Sequence, residues 1–229
     1  MSARGLFVTG TDTGVGKTLA ACALLHAFAQ RGLRVTGMKP VAAGAQFVGG
    51  VWINDDVEQL LAAGNVNAPR EWLNPYCFAP PIAPHIAAEI ENKTIKNNYL
   101  IKSYQRLAAL ADIVIVEGAG GFCVPLNAHE TSADFARELA VPIILVVGMR
   151  LGCLNHALLT AEAIRARGLV LAGWVANQID PAMTHVDANV AALQARLAAP
   201  LIARFAFSAL HDARTLAAEI DLAQLGAPA

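Results

Sequence analysis

The chain has 229 residues, of which 55% are hydrophobic and 15% charged, and its formal net charge is −1 at pH 7. This composition excludes a disordered chain, and the small charge excludes a protein that attracts nucleic acid or anionic membranes through its overall field. The apolar runs are shorter than the ~20 residues of a membrane span, and the spacing of Cys22, Cys77, Cys123 and Cys153 is not typical of zinc sites or disulfide scaffolds. We expect a reduced cytoplasmic protein, one domain over residues 1–229, with no nucleic-acid or membrane partner.

Short apolar runs alternate with helical patterns along the chain. "LFVTG" predicts a first buried strand, residues 17–30 a helix followed by Gly32 as its C-terminal cap, and "RVTGMKP" a second strand. Residues 41–98 are the least regular stretch, with several glycines and prolines. The predicted elements after them are a helix in "NNYLIKSYQRLAALA", a strand in "DIVIVEGAGG", a helix over 132–140, strand "PIILVVG", helix "NHALLTAEAIRARG", strand "LVLAGWVAN", helix "VDANVAALQARLAA", strand "PLIARFAF" and an alanine-rich tail helix.

Continuous apolar strands separated by helices are typical of a parallel sheet that is covered on both faces. The predicted fold is therefore α/β: a single doubly wound, mainly parallel sheet with helices on both faces. Ligands of such sheets bind outside the carboxyl ends of the strands. We expect the groups that end the predicted strands to lie along one edge of the sheet: the loop after Gly10, Lys39, Glu117, Arg150 and Asn177.

The segment "GTDTGVGKT", residues 10–18, follows the first strand and opens the first helix. Backbone N–H groups of such a glycine-rich turn, with the helix dipole, favour phosphate, while Lys17 can reach the β- and γ-phosphates and Thr18 can bind Mg²⁺. The spacing is unusual, because five residues instead of four separate Gly10 from Gly16 and Thr11 stands where the first glycine belongs. The alternative is a plain strand-to-helix turn with a solvated lysine; Gly-Lys-Thr directly after a buried strand argues against it.

Further candidates follow the other strands. Glu117 ends a hydrophobic strand and can hold Mg²⁺ directly or through water, with the glycines after it allowing close approach of a ligand. Asp56, expected in an irregular loop, is a second candidate for Mg²⁺. Lys39, fixed by Pro40, can neutralise a transferring phosphoryl group. The alternatives are a capped tight turn at Glu117, a common surface aspartate at Asp56 and a lysine that reaches solvent at Lys39.

Two more side chains are candidate ligand contacts. The amide of Asn177 can hydrogen-bond the edge of a base, although asparagine is also common in turns. His85 is a candidate for the wall of the substrate pocket. The other histidines are expected at the surface or in packing: His26, His129, His156, His185 and His211.

Five segments in this order, "GTDTGVGKT", "KPVAAG", "VEGAGG", "LGCLNHALLTAEAI" and "AGWVAN", resemble the dethiobiotin synthetase family of P-loop NTPases. The resemblance runs from Leu6 to about Asn177, more loosely to Phe207, and thins between Ile86 and Ala111. It accounts for the early Gly10, which belongs to that family's form of the loop.

The resemblance implies an ATP-dependent cyclo-ligase of biotin biosynthesis. In this reaction diaminopelargonic acid takes up carbon dioxide as a carbamate, the γ-phosphoryl of ATP moves to the carbamate, and the second amine closes the cyclic urea and expels phosphate. The runner-up is a partitioning or cell-division ATPase of the same superfamily, which carries a lysine where this chain has Asp12. An amidotransferase partner domain is disfavoured because it requires a glutaminase module.

The resemblance also implies roles for individual residues. Lys39 is the principal catalytic residue, with Lys17 and with Thr13 beside the carbamate; Thr18, Asp56 and Glu117 hold Mg²⁺. The family is a homodimer in which the partner's chain holds the far carboxylate of the substrate with the backbone near Cys153, Leu154 and Asn155. The nucleotide contacts are Gly14, Val15, Gly16, Lys17, Thr18, Asp56, Glu117, Gly118, Ala119, Gly120, Asn177, Gln178, Phe205, Ala206 and Phe207.

Four positions depart from the family pattern. Ala43, a predicted substrate contact, stands where a serine is frequent, so one hydroxyl contact worth ~1–2 kcal/mol at most is lost. Gly14, Ala206 and Gln178 replace a glutamate, a proline and an aspartate found in other members. Because these three cluster around the nucleotide, we expect looser selectivity for the base.

Overall fold

The fold, taken from a computed structural model that describes residues 4–208, 210 and 212–225, is built on one six-stranded parallel sheet. His211, which was expected at the surface or in packing, lies outside the described residues. The strands are β1 (Arg4–Gly10), β2 (Val35–Met38), β3 (Val41–Ala43), β4 (Gln46–Val48), β5 (Val51–Ile53), β6 (Tyr76–Phe78), β7 (Ile113–Glu117), β8 (Ile143–Met149), β9 (Leu171–Gln178) and β10 (Leu201–Phe205). The helices are α1 (Lys17–Ala29), α2 (Asp55–Ala63), α3 (Arg70–Leu73), α4 (Pro84–Ile90), α5 (Asn97–Ala108), α6 (Ser132–Leu139), α7 (Cys153–Ala166), α8 (Val186–Gln194) and α9 (Ala213–Leu216).

The strand order of the main sheet is β10-β9-β8-β1-β7-β2, with every neighbouring pair parallel. Successive residues of a strand point to opposite faces. In β1 the side chain of Phe7 therefore joins a core with helices α3 to α8, whereas Leu6 and Val8 join a second core with α1, α2 and the chain after β10. Helices cover both faces, which confirms the predicted doubly wound α/β fold.

The carboxyl ends of the parallel strands meet at one edge of the sheet, as expected. The loop after Gly10 leaves β1 there, Lys39 follows β2, Glu117 ends β7, and Arg150 follows β8. Asn177 pairs in register with Gly148 of β8. This edge brings together residues that are more than one hundred positions apart in the chain.

Residues 41–98 contain strands and helices that were not predicted from the sequence. They contain the small sheet of β3 and β6, the hairpin of β4 and β5, and helices α2 to α4. Asp56 lies in the first turn of α2, so its expected place in an irregular loop is wrong. The helix signal was present in the chain, because Asn54 accepts a hydrogen bond from the N–H of Val57 as an N-cap and acidic residues follow it.

The expected single tail helix is also wrong. After β10 the described residues form only the four-residue α9 and the 3-10 turns Ala217–Glu219 and Leu222–Leu225. Ile220 is extended, and the N–H of Asp221 bonds to the carbonyl of Ile202 instead of continuing a helix. No helix within the described ranges is long and apolar enough to cross a membrane.

A glycine in β2 decides how closely α2 approaches the sheet. A Cβ on Gly37 would lie 2.8 Å from Leu60 Cβ, so Gly37→Ala must displace α2, the helix that carries Asp56. We expect Gly37→Ala to lower the free energy of unfolding by about 1–3 kcal/mol in urea titrations, as for other overpacked sites. Gly173→Ala in β9 is the control, since its Cβ would meet at 2.7 Å the Cγ2 methyl of Ile202, which can shift by rotation about χ1 whereas a Cβ cannot. A larger loss in Gly173→Ala would contradict this explanation.

Candidate active site

The glycine-rich loop between β1 and α1 is shaped by two left-handed residues. Gly14 and Gly16 have φ of 74° and 88°, a region that favours glycine. A Cβ on Gly16 would also lie 2.2 Å from Asn177 Nδ2. Side chains at these two positions would therefore strain the loop, and at Gly16 would collide with β9.

Val15 fixes the loop from below and explains the unusual glycine spacing. Its side chain is buried at 1% exposure. Cβ atoms on Gly10 and Gly148 would lie 2.6 and 2.7 Å from Val15 methyl carbons, so both glycines make room for it. Asn177 Nδ2 also donates to the Val15 carbonyl at 2.9 Å. Gly10 is thus required for packing under the loop, a role that the spacing of the motif alone does not reveal.

Four polar side chains form a cluster at the start of α1. Lys39 Nζ lies 2.6 Å from Asp56 Oδ2 and 2.6 Å from Glu117 Oε1. The Thr18 hydroxyl lies 2.8 Å from Asp56 Oδ1 and 2.9 Å from Glu117 Oε1. Glu117 is fully buried, and its Oε2 has no hydrogen-bond partner among the described residues. The cluster joins β2, β7, α1 and α2.

The two carboxylates control the charge of Lys39. Burial of this side chain, 4% exposed, opposes its charged form, but Glu117 and Asp56 outweigh that effect and raise the pKa of Lys39. Burial likewise opposes ionisation of Asp56, but the Lys39 ammonium outweighs it and lowers the pKa of Asp56. Lys39 is therefore a protonated ammonium at neutral pH.

Among the described residues, the ammonium of Lys17 has fewer hydrogen-bond partners than that of Lys39. Its Nζ donates to the carbonyl of Asp12 at 3.0 Å. Burial, followed by repulsion from Lys39, lowers the pKa of Lys17 to about 8. A phosphate group beside Lys17 would supply the negative charge that this buried ammonium lacks.

The loop and the cluster open on a cavity of about 840 Å³. It is lined by Asp12, Thr13, Gly14, Gly16, Lys17, Thr18, Lys39, Val41, Ala43, Asp56, Pro81, Ile82, Ala83, Pro84, Glu117, Ala119, Gly120, Gly121 and Val124. One part is charged and glycine-rich, whereas the wall of residues 81–84 is apolar. The cavity can therefore accept an anionic group beside an apolar one.

The structure brings about half of the predicted site residues to the lining of this cavity. Val15 lies under the loop, and Gly118 is buried behind Glu117. His85 is not part of the cavity lining. The preceding residues 81–84 form that wall instead, which was not predicted from the sequence. The remaining predicted contacts lie outside the lining: Cys153, Leu154, Asn155, Asn177, Gln178, Phe205, Ala206 and Phe207.

The predicted base contacts have definite surroundings. Asn177 is buried, and its Oδ1 has no hydrogen-bond partner among the described residues. Gln178 Nε2 donates to the carbonyl of Asp180. Phe205 is 1% exposed in the core, whereas Phe207 is 44% exposed. A buried acceptor without a partner among the described residues and an exposed ring are thus present, and the base site stays a prediction.

The start of α7, where the substrate carboxylate was predicted, is largely exposed, with Cys153 as its buried residue. Cys153 is buried, which is consistent with a positional role for it. Gly152 before it has φ of 95°, and Leu151 is 96% exposed. This helix end does not reach the cavity of its own chain.

One ion pair at the site was missed. Arg150, noted in the sequence only as a strand end, contacts Asp12 at 2.5 Å. No local pattern signals it, because the two residues are 138 positions apart.

Comparison with known proteins identifies close relatives. A family model described as "AAA domain" matches residues 4–214. The ATP-dependent dethiobiotin synthetase BioD of Nitrosospira multiformis is 55% identical over 97% of this chain and 97% of its own. The BioD proteins of Aromatoleum aromaticum (96% of this chain, 97% of its own) and of a Janthinobacterium species (86% and 85%) are each 53% identical.

Solved structures of lower identity share the fold. A ParA family ATPase from Chlorobium tepidum aligns with a TM-score of 0.53 and 14% identity, over 94% of this chain and 89% of its own. The septum site-determining protein MinD of Pyrococcus horikoshii aligns with a TM-score of 0.50 and 17% identity, over 88% and 80%. These alignments show the fold alone.

The low pKa of Lys17 predicts a stability effect. Because about 8 is below the ordinary 10.5, the buried ammonium lowers stability below pH 8, and this penalty fades as the pH rises from 8 towards 10.5. The penalty is at most about 3 kcal/mol, and part is offset by the bond to Asp12. We expect Lys17→Met to be about 1–2 kcal/mol more stable at pH 7 in urea titrations without nucleotide, with a smaller gain at pH 10.

Lys102→Met, at an exposed position of α5, is the control and should show no such trend. A Lys17→Met protein that is less stable at pH 7, or whose difference from the parent does not change with pH, would contradict the prediction.

Proposed function

The chain belongs to the ATP-dependent dethiobiotin synthetase family, and we propose that it closes the cyclic urea of dethiobiotin with ATP as co-substrate. Relatives of 53–55% identity over most of their length support this activity. A switch ATPase of the partitioning type is not favoured, since its members resemble this chain at fold level only.

The observation that carries the proposal is the pair of lysines on one cavity. The reaction holds two anions together, a triphosphate and a carbamate. Lys17, the first residue of α1, and Lys39, directly after β2, both line the cavity and are both buried. Two cations and an apolar wall match a charged nucleotide and a substrate with an aliphatic middle.

The residues would act as follows. One amine of diaminopelargonic acid attacks carbon dioxide and, on losing a proton, becomes a carbamate. A carbamate oxygen attacks the γ-phosphorus and ADP leaves; then the second amine attacks the carbamoyl carbon and phosphate leaves. Lys17 would bind the β- and γ-phosphates, Lys39 would stabilise the charge on the transferring phosphoryl group, and Thr13 would lie beside the carbamate. Positioning and charge stabilisation are the main sources of catalysis in such transfers.

Thr18, Asp56 and Glu117 fit a Mg²⁺ site. All three supply oxygen, the donor that Mg²⁺ prefers, and the buried Glu117 Oε2 is an open acceptor. The described residues contain no group of three or more His, Cys, Asp or Glu that could hold a metal, so the Thr18 hydroxyl and nucleotide oxygens would complete the site. Bound Mg²⁺ would neutralise phosphate charge.

For the base, the proposal uses the far side of the loop. Asn177 Oδ1, an acceptor without a partner among the described residues, would receive a hydrogen bond from the adenine amino group. Gln178 and the segment Phe205–Phe207 would enclose the ring, with Phe207 as the exposed aromatic surface. The proposal also places the enzyme in the cytoplasm, where its four free cysteines would stay reduced.

We further propose a homodimer in which the start of α7 completes the partner's site. Backbone N–H groups around residues 153–155 would bind the far carboxylate of the substrate at a helix N-terminus. Leu151, 96% exposed beside this helix end, is an apolar side chain that a dimer interface would cover.

The dimer predicts a specific effect at this leucine. Leu151→Asp should raise the dimer dissociation constant at least tenfold in analytical ultracentrifugation, because a charge would be placed in the interface. Leu210→Asp, at a residue that is 91% exposed in the tail, is the matched control and should leave the constant unchanged. A parent protein that sediments as a monomer would exclude the dimer.

The function is tested by ATP turnover. The parent protein should release phosphate from ATP and bicarbonate only with diaminopelargonic acid present, and dethiobiotin should form in equal amount. Lys39→Gln should lower product formation at least 100-fold, as loss of a transition-state donor does, with ATP binding still measurable. Because this change leaves two buried carboxylates without their cation, the assay must run below the unfolding temperature of the variant.

Phosphate release that ignores the diamine would favour a switch ATPase. Near-normal turnover by a folded Lys39→Gln protein would show that Lys39 is not the principal catalytic residue.

A further inference from the structure

One carboxylate in the cavity lining, that of Asp12, has the same sign of charge as the proposed nucleotide. Asp12 lines the cavity together with Thr13, and its side chain is 48% exposed. The N–H of Thr13, bonded to Asp12 Oδ1 at 2.8 Å, and then Arg150 lower the pKa of Asp12 against the opposing effect of burial, so this carboxyl is ionised at neutral pH. An uncompensated negative charge here would repel a triphosphate.

Arg150 meets that carboxylate from outside the cavity. Its guanidinium contacts Asp12 Oδ2 at 2.5 Å, yet Arg150 is not part of the cavity lining. It therefore offsets the negative charge of Asp12. It does so without occupying ligand space.

Asp12 is also a junction for the loop. Oδ1 accepts the N–H of Thr13, Oδ2 meets Arg150, and the backbone carbonyl accepts Lys17 Nζ at 3.0 Å. The preceding residue ties the same segment to β8, since the N–H of Thr11 bonds to the carbonyl of Val146 at 3.0 Å. The position of Arg150, directly after β8, is thus fixed relative to the start of the loop.

We propose that Arg150 is a positioning residue for nucleotide binding, which acts by neutralising and holding Asp12. The inference rests on the proposed ATP-dependent function. Arg150 would keep Asp12 in place, and through Asp12 also Thr13 and Lys17, the two residues proposed to face the carbamate and the phosphates. Its effect would appear in ATP affinity and in the KM for ATP rather than in kcat.

The test is a double-mutant cycle with Mg-ATP as the probe. Kd by calorimetry, and KM and kcat by phosphate release with the diamine, are measured for the parent, Asp12→Asn, Arg150→Gln and the double variant. Arg150→Gln should raise the Kd and KM for ATP about 3–10-fold, in the range of a half-exposed ion pair, and leave kcat within about twofold. In the Asp12→Asn background the same change should alter Kd less than about twofold.

Two further variants sharpen the cycle. Arg150→Lys, which keeps the charge, should recover most of the affinity. Arg34→Gln is the matched control, because Arg34 pairs with Asp112 at 2.7 Å at the opposite edge of the sheet, and it should leave Kd unchanged.

An equal loss of affinity in the Asp12→Asn background would mean that Arg150 touches the nucleotide itself, and would overturn the proposal. A normal Kd in Arg150→Gln would overturn it as well. A parent protein that binds no Mg-ATP would instead remove the proposed function, and this inference with it.

Discussion

The site depends on one buried ammonium held between two carboxylates. Lys39 is 4% exposed and lies 2.6 Å from both Asp56 and Glu117. A charge that has lost its water needs partners of opposite charge and further hydrogen bonds. The partners come from β7 and α2, and Thr18 of α1 bonds both carboxylates, so this contact fixes the relative positions of three elements around the end of β2.

The loop depends in turn on packing beneath it. The apolar side chain of Val15 fills a space that is free because Gly10 and Gly148 have no side chains. Asn177 holds the carbonyl of the same residue from β9. The strand-to-helix loop is therefore supported from two neighbouring strands, which leaves Gly14 and Gly16 at the cavity surface. The phosphate contacts proposed for the loop depend on this packing, because it holds the loop in place.

The loop and the cluster together set the net charge of the cavity lining. The charged residues in the cavity lining are Asp12, Lys17, Lys39, Asp56 and Glu117, two cations against three carboxylates. A triphosphate cannot enter such a lining favourably without additional positive charge. The proposed Mg²⁺ at Asp56 and Glu117, and Arg150 behind Asp12, would supply that charge from two sides.

The main sheet, its carboxyl edge and most of the cavity's charged residues could be predicted from the amino-acid sequence, because buried strands with polar ends and the Gly-Lys-Thr turn are local patterns. The prediction missed α2 around Asp56 and overestimated the tail helix. Three contacts become visible only in the folded chain: Gly10 makes room for Val15, Lys39 lies between two carboxylates, and Arg150 pairs with Asp12. Those contacts join residues 5 to 138 positions apart, most of them in the loops that follow strands. Their pairing follows from sheet order and packing and leaves no mark on the neighbouring sequence.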